Sequence, residues 1–146
     1  MQRAVLAPHP LAGGGDGFPV LREGTDLTIV SWGAMVHEAL AAAVALAAED
    51  LFAEVIDLAT LKPYDLDTVL ASVKKTGRCM VASEAPRTCG LASEISANVA
   101  EQGLLSLLAP VERVTGFDTP YPHSLEWAYF PGPIRIGEAI DKILKD

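Results

Sequence analysis

Residues 53–95, AEVIDLATLKPYDLDTVLASVKKTGRCMVASEAPRTCGLASEI, decide the fold, because they read as one strand, helix, strand, helix unit. Glu54 to Leu58 is a mainly aliphatic and β-branched run without clean polar alternation, the pattern of a strand covered on both faces. Pro63 cannot continue a ladder, and Asp65 then stands where a helix N-cap belongs, its carboxylate able to accept first-turn N–H bonds. Leu66, Val69, Leu70 and Val73 recur at helical spacing, and Lys74-Lys75-Thr76-Gly77 supplies cations and a left-handed glycine for the end. Cys79 to Ala82 reads as a second covered strand, broken at Glu84-Ala85-Pro86-Arg87. Gly90 then opens a helix with Leu91, Ile95 and Val99 on one stripe. Strand, crossover helix and strand of these lengths predict a right-handed βαβ unit with parallel strands.

Outward from this unit, Val20 to Arg22 and Leu27 to Ser31 flank a turn at Glu23-Gly24-Thr25-Asp26 and predict two antiparallel strands, the first at a sheet edge. Trp32-Gly33 closes the second. The alanine-rich run from Met35 to Ala48 predicts a helix whose apolar face is Val36, Leu40, Val44 and Ala47. Leu104 to Leu108 is a short apolar run ended by Ala109-Pro110, before a last strand, Val111 to Thr115. The loop from Gly116 to Pro122 is stiffened by Pro120 and Pro122. Pro133 suits the first position of a final helix with Ile136, Ile140, Ile143 and Leu144 on its buried stripe. Met1 to Leu21, with Gly13-Gly14-Gly15-Asp16-Gly17 and with Pro8 and Pro10, predicts a linker rather than a phosphate cradle, since no Lys-Ser/Thr pair follows.

A chain of 146 residues suits one domain with a real core, and 50% hydrophobic against 21% charged residues predicts a soluble globular protein. No apolar run reaches membrane-spanning length. The net charge of −8 argues against nucleic acid, whose binding rests on lysine and arginine at phosphates, and favours a basic protein partner. Cys79 and Cys89 have neither metal nor redox-motif spacing, so the default is a reduced, intracellular setting.

Several ordered motifs carry a resemblance. Val55-Ile56-Asp57-Leu58, Thr60-Leu61-Lys62-Pro63-Tyr64-Asp65, Lys75-Thr76-Gly77-Arg78 and Glu84-Ala85-Pro86-Arg87 are followed by Ala109-Pro110 and by Arg113-Val114-Thr115-Gly116-Phe117-Asp118-Thr119-Pro120-Tyr121-Pro122-His123. From about Arg22 to the C-terminus the chain resembles the C-terminal domain of the β subunit of 2-oxoacid dehydrogenase E1. His123 after the Pro-Tyr-Pro run looks more like the branched-chain type than the pyruvate type, and Ala59 replaces an arginine common in that family. The implied fold is a three-layer α/β/α, transketolase C-terminal-domain-like arrangement. It has about five mostly parallel strands and one antiparallel edge strand. Residues 1–21 would be the linker from an upstream domain and residues 22–146 the domain itself.

The resemblance implies a parent enzyme that uses thiamine diphosphate with Mg²⁺. It also implies an E1 α subunit and a second β subunit in a heterotetramer, and contact with the subunit-binding domain of E2. The bacterial cytoplasm, or the mitochondrial matrix of a eukaryote, would be its location. This chain has neither the Gly-Asp-Gly start nor the Asn-Asn end of the family's diphosphate motif, so it is expected to bind no cofactor and to serve assembly. Loops at the carboxyl ends of parallel strands commonly form ligand sites, and here they carry Trp32, Glu84, Arg87, Asp118, Tyr121 and His123.

Each of these residues has a plainer role beside a functional one. Glu84 and Asp118 can form a carboxylate pair or fix their loops through backbone N–H groups. Arg87 can hold an anion at the Gly90 helix or make an intersubunit ion pair, and His123 can titrate near neutral pH or pack at a contact. Cys89 lacks a base, Ser83, Ser93 and Ser124 lack a nucleophile-elbow context, and His37 fits a helix surface. Tyr121, Trp127, Tyr129 and Phe130 cluster as interface aromatics do. A free-standing module sensing a small anion at Glu84, Arg87 and Asp118 is the alternative of another class.

Overall fold

The structure, a computed structural model, describes residues 20–145, so residues 1–19 of the expected linker lie outside the described residues. Five strands form one sheet: β1 (Val20–Arg22), β2 (Leu27–Ser31), β3 (Ala53–Asp57), β4 (Cys79–Pro86) and β5 (Glu112–Gly116). Their order across the sheet is β1-β3-β2-β4-β5, with β1 antiparallel to β3 and every other pair parallel. Helices α1 (Met35–Ala47), α2 (Leu66–Thr76), α3 (Leu91–Gly103) and α5 (Pro133–Lys145) cover it, and α4 (Glu126–Tyr129) is a single turn. Among the described residues no helix is long and apolar enough to cross a membrane.

Strand alternation sorts the core into two layers. Leu27, Ile29, Ala53, Val55 and Met80 face α1 and α5, where Ile136, Ile140 and Ile143 are buried. Val30, Ile56, Cys79 and Val81 face α2 and α3, against Val69, Val73, Ile95 and Val99. All five residues of β2 and of β3 are buried, and for β3 the mainly aliphatic run without clean polar alternation predicts a strand covered on both faces. The boundaries of α2 fall where the sequence places them. Asp65 accepts from Thr68 N at 3.0 Å, and Gly77 ends the helix at φ 74°.

Three expectations need correction. The strands β1 and β2 do not form a hairpin, because β3 lies between them. Gly24 explains this: a Cβ there would lie 2.2 Å from the Ala53 carbonyl carbon, so the turn is pressed against the start of β3. Thr25 N and Asp26 N both donate to Phe52 O, and Asp26 Oδ2 accepts from Phe52 N at 2.7 Å. The buried face of α1 is Met35, Val36, Ala39, Ala42 and Ala43, not Val36, Leu40, Val44 and Ala47, and Val44 is 57% exposed. In an alanine-rich helix, close approach to sheet and neighbour selects the small residues for the contact. The Leu104 to Leu108 run, to which the sequence assigns no element, contributes a single 3₁₀ turn, Leu104–Ser106. β4 also runs past Ala82 to Pro86, but its pairing with β5 shifts register between those residues.

At the amino edge of the sheet a polar network locks β2 and β3 to α2. Thr28 Oγ1 lies 2.7 Å from Ser72 Oγ and 2.8 Å from Thr76 Oγ1 inside the core. Glu54, 2% exposed, accepts from Lys75 Nζ and from Gly24 N. Burial opposes ionisation of Glu54, but the bonds from Lys75, Ser72 and Gly24 outweigh it and hold the carboxyl below its ordinary value.

Candidate functional site: the carboxyl edge of the sheet

Parallel strands β2, β3, β4 and β5 deliver their following loops to one edge. At β4 and β5 the two loops are fastened to one another. Asp118, in the loop after β5, accepts from Thr88 N at 2.8 Å and from Thr88 Oγ1 at 2.7 Å. Those two bonds hold the Asp118 carboxyl below the usual carboxylate range, with the Arg87 charge a lesser contribution. Arg87 Nη1 donates to Arg113 O at 2.9 Å, and Arg113 Nη1 donates back to Arg87 O at 3.1 Å. The turn between them leads through Cys89, exposed and at φ 59°, into Gly90, the N-cap of α3.

The chain leaves β5 through Gly116, where a Cβ would meet Glu84 O at 2.5 Å and the Tyr129 ring at 2.7 Å. Only glycine permits that approach, which seats Tyr129 over the strand end. Arg135, in the first turn of α5, closes the far side. Its Nη2 donates to Thr115 O at 2.6 Å and its Nη1 to Tyr129 O at 3.1 Å, while the guanidinium stacks 4.2 Å from the Phe117 ring centroid.

Between these anchors lies an aromatic group. Tyr121 meets His123 at 4.9 Å, Tyr129 at 5.3 Å and Phe130 at 5.7 Å between ring centroids, the first two edge to face. A hydrogen bond to the Glu126 carboxylate, with Glu84 adding like-signed charge, pushes the Tyr121 hydroxyl up to about 12. The outer rim is apolar: Phe117, Leu125, Trp127 and Ile134 are 48, 52, 81 and 78% exposed.

The six candidate residues therefore divide. Arg87 and Asp118 are joined through the Thr88 turn, Tyr121 and His123 meet edge to face, and Glu84 lies within electrostatic range of Tyr121. Trp32 packs apart from them, half-buried against the core layer that faces α2 and α3. Sequence reasoning missed Thr88, Arg113 and Arg135. Arg135 carries a signal, since a cation in a helix's first turn opposes the dipole and needs other partners. Chemically, the edge is a set of satisfied loop locks under an apolar rim. Among the described residues no group of three or more His, Cys, Asp or Glu can hold a metal.

Residues 17–136 match the family model described as "Transketolase, C-terminal domain". The chain is 48% identical over 145 residues to the 2-oxoisovalerate dehydrogenase subunit beta of Pseudomonas aeruginosa, covering 94% of this chain and 41% of that protein. The mitochondrial 2-oxoisovalerate dehydrogenase subunit beta of Dictyostelium discoideum is 46% identical, over 86% of this chain and 34% of that protein. The pyruvate dehydrogenase E1 component subunit beta of Bacillus subtilis is also 46% identical, over 86% of this chain and 39% of that one. A solved structure described as a split gene transketolase, inactive β4 tetramer, superposes with a TM-score of 0.81 at 33% identity, covering 98% of this chain and 46% of its own. The chain thus spans 34 to 41% of the length of these curated relatives.

Proposed function

This chain belongs to the transketolase C-terminal domain family, and from that premise we propose that it is the assembly domain of the E1 β subunit of a branched-chain 2-oxoacid dehydrogenase. The observation that carries this reading is the 48% identity to a 2-oxoisovalerate dehydrogenase β subunit over nearly the whole chain. On this reading the full enzyme decarboxylates a branched 2-oxoacid on thiamine diphosphate and transfers the acyl group reductively to lipoyl-E2. The complex would sit in the bacterial cytoplasm or the mitochondrial matrix.

Thiamine diphosphate with Mg²⁺ does not fit the residues of this domain. Asp118 is committed to Thr88, Glu126 to Tyr121 and Glu54 to Lys75, and among the described residues no cluster of metal-ligating side chains stands at the carboxyl edge. The domain's own contribution is packing. An aromatic and aliphatic rim held by Arg135 and Gly116 has the composition of an interface core, and suits contact with the α subunit or a second β subunit. The net charge of −8 suits electrostatic guidance of a basic E2 subunit-binding domain.

Two measurements test the reading. Calorimetry of the chain with thiamine diphosphate and Mg²⁺ is expected to give no binding heat, and micromolar affinity would overturn it. Sedimentation with the cognate α subunit is expected to show a joint complex that Trp127→Asp weakens. The 46% identity to a pyruvate dehydrogenase β subunit supports a second reading with the same architecture, separated by substrate profiling of the assembled enzyme. The anion-sensor alternative is disfavoured because the Asp118 carboxylate, fixed by Thr88, lies within electrostatic range of Arg87 and repels an anion there.

A further inference from the structure

On the outer face of α3, away from the aromatic rim, lies a groove of about 670 Å³, within the size range of small-molecule sites. Ala97, Ala100, Leu104, Leu107, Leu108 and Pro110 form its apolar wall. Leu104 and Leu108 remain 64 and 65% exposed, an apolar surface that water covers at a cost.

The one charged residue lining this groove is a cation, Arg113, although the chain as a whole carries −8. Its guanidinium is held at the start of α3 by two neutral acceptors, Arg87 O and Ser93 Oγ, both served by Nη1. No carboxylate of the described residues pairs with it. A guanidinium has five N–H donors, so most of its capacity faces no internal acceptor. From Ser93 to Leu104 the helix rises about 16 Å, so a fixed cation stands at one end of an elongated apolar trough.

We propose that this groove binds an apolar monocarboxylate, its carboxylate on Arg113 and its hydrocarbon chain along Ala97, Ala100 and Leu104. A forked guanidinium already oriented by Arg87 O and Ser93 matches a carboxylate, and the exposed leucines supply the hydrophobic part of the affinity. The inference does not rest on the assignment of the parent enzyme, since it uses only the groove and its lining.

The test is calorimetric titration of the full chain with decanoate below its micelle-forming concentration. Expected is saturable binding at one site, weakened about tenfold or more when decanol replaces decanoate, because the charged pair is lost. Ala100→Trp fills the groove from an exposed position, so it should abolish binding with the circular dichroism spectrum and melting temperature unchanged; Ala97→Trp serves if Ala100→Trp disturbs the fold. No saturable binding to the unmodified chain overturns the proposal. So does equal affinity for decanol, which marks a non-specific apolar surface such as a polypeptide contact, and so does binding that survives a folded tryptophan variant.

Discussion

Replacing Arg135 with methionine keeps the length and packing of the side chain but removes both donors that tie α5 to the carboxyl edge. The bond to Thr115 O is short and reaches a residue only 3% exposed, so the abandoned carbonyl loses a charge-assisted partner, at about 1.5–2 kcal/mol. The bond to Tyr129 O is longer, at 3.1 Å, and its loss is put at about 1 kcal/mol. Stacking on Phe117, itself half exposed, adds about 0.5 kcal/mol. The sum, about 3 kcal/mol, corresponds to a fall in melting temperature of roughly 6–12 °C for a chain of this size. Urea denaturation followed by far-ultraviolet circular dichroism measures it, and near-ultraviolet dichroism reports the Tyr121, Tyr129 and Phe130 group separately. Arg135→Lys should fall between, since a point charge reaches one carbonyl but lacks the fork and the planar stack. A methionine variant within about 0.5 kcal/mol of the parent, inside the ordinary scatter of surface substitutions, would refute the assignment of Arg135 as the anchor of this edge.

Three further outcomes follow from the structure. Because the folded-state value of Glu54 is depressed below its ordinary 4.5, its contribution to stability is complete above that pH and disappears as the pH falls through the folded value. Glu54→Gln should therefore flatten the acid limb of a stability profile, and an unchanged limb would contradict the Lys75 pairing. Gly116→Ala forces a Cβ to within 2.5 Å of Glu84 O and should cost about 2–3 kcal/mol with loss of near-ultraviolet signal, whereas the same change at open Gly137 should not. An aromatic disulfide reagent should modify Cys89 in the native chain but Cys79 only after denaturation, since burial pushes the Cys79 thiol up to about 12; rapid native reaction of both would contradict the placement of β4.

Most of the fold is legible in the sequence because its signals are local. Asp65 and Gly77 mark the ends of α2 by their own side-chain chemistry, and Pro133 begins α5 in the same way. Mainly aliphatic runs without clean polar alternation, at β3 and the first half of β4, announce coverage on both faces. Strand neighbours are not local. The insertion of β3 between β1 and β2 depends on Gly24 meeting backbone thirty residues away, and the Glu23 to Asp26 turn looks the same with or without that contact. The face of α1 was hidden for a related reason: alanines carry little hydrophobic signal, yet they permit the closest approach. Asp118 was visible as a loop carboxylate, but its partner Thr88 was not, because the bond joins two loops separated by a whole helix and strand. Arg135 spends donors on the backbone carbonyls of Thr115 and Tyr129, and Arg113 gives one to Arg87 O, partners that leave no trace in residue identity.

The order β1-β3-β2-β4-β5 also bears on how the chain matures. Among the described strands β1 leaves the ribosome first, but its only ladder partner is β3, made some thirty residues later. Its place in the sheet opens only once β3 has been made, so the first of the described strands to emerge waits for a partner while β2 and α1 are synthesised. Until then its unpaired backbone is the segment most open to capture by a chaperone or by another nascent chain.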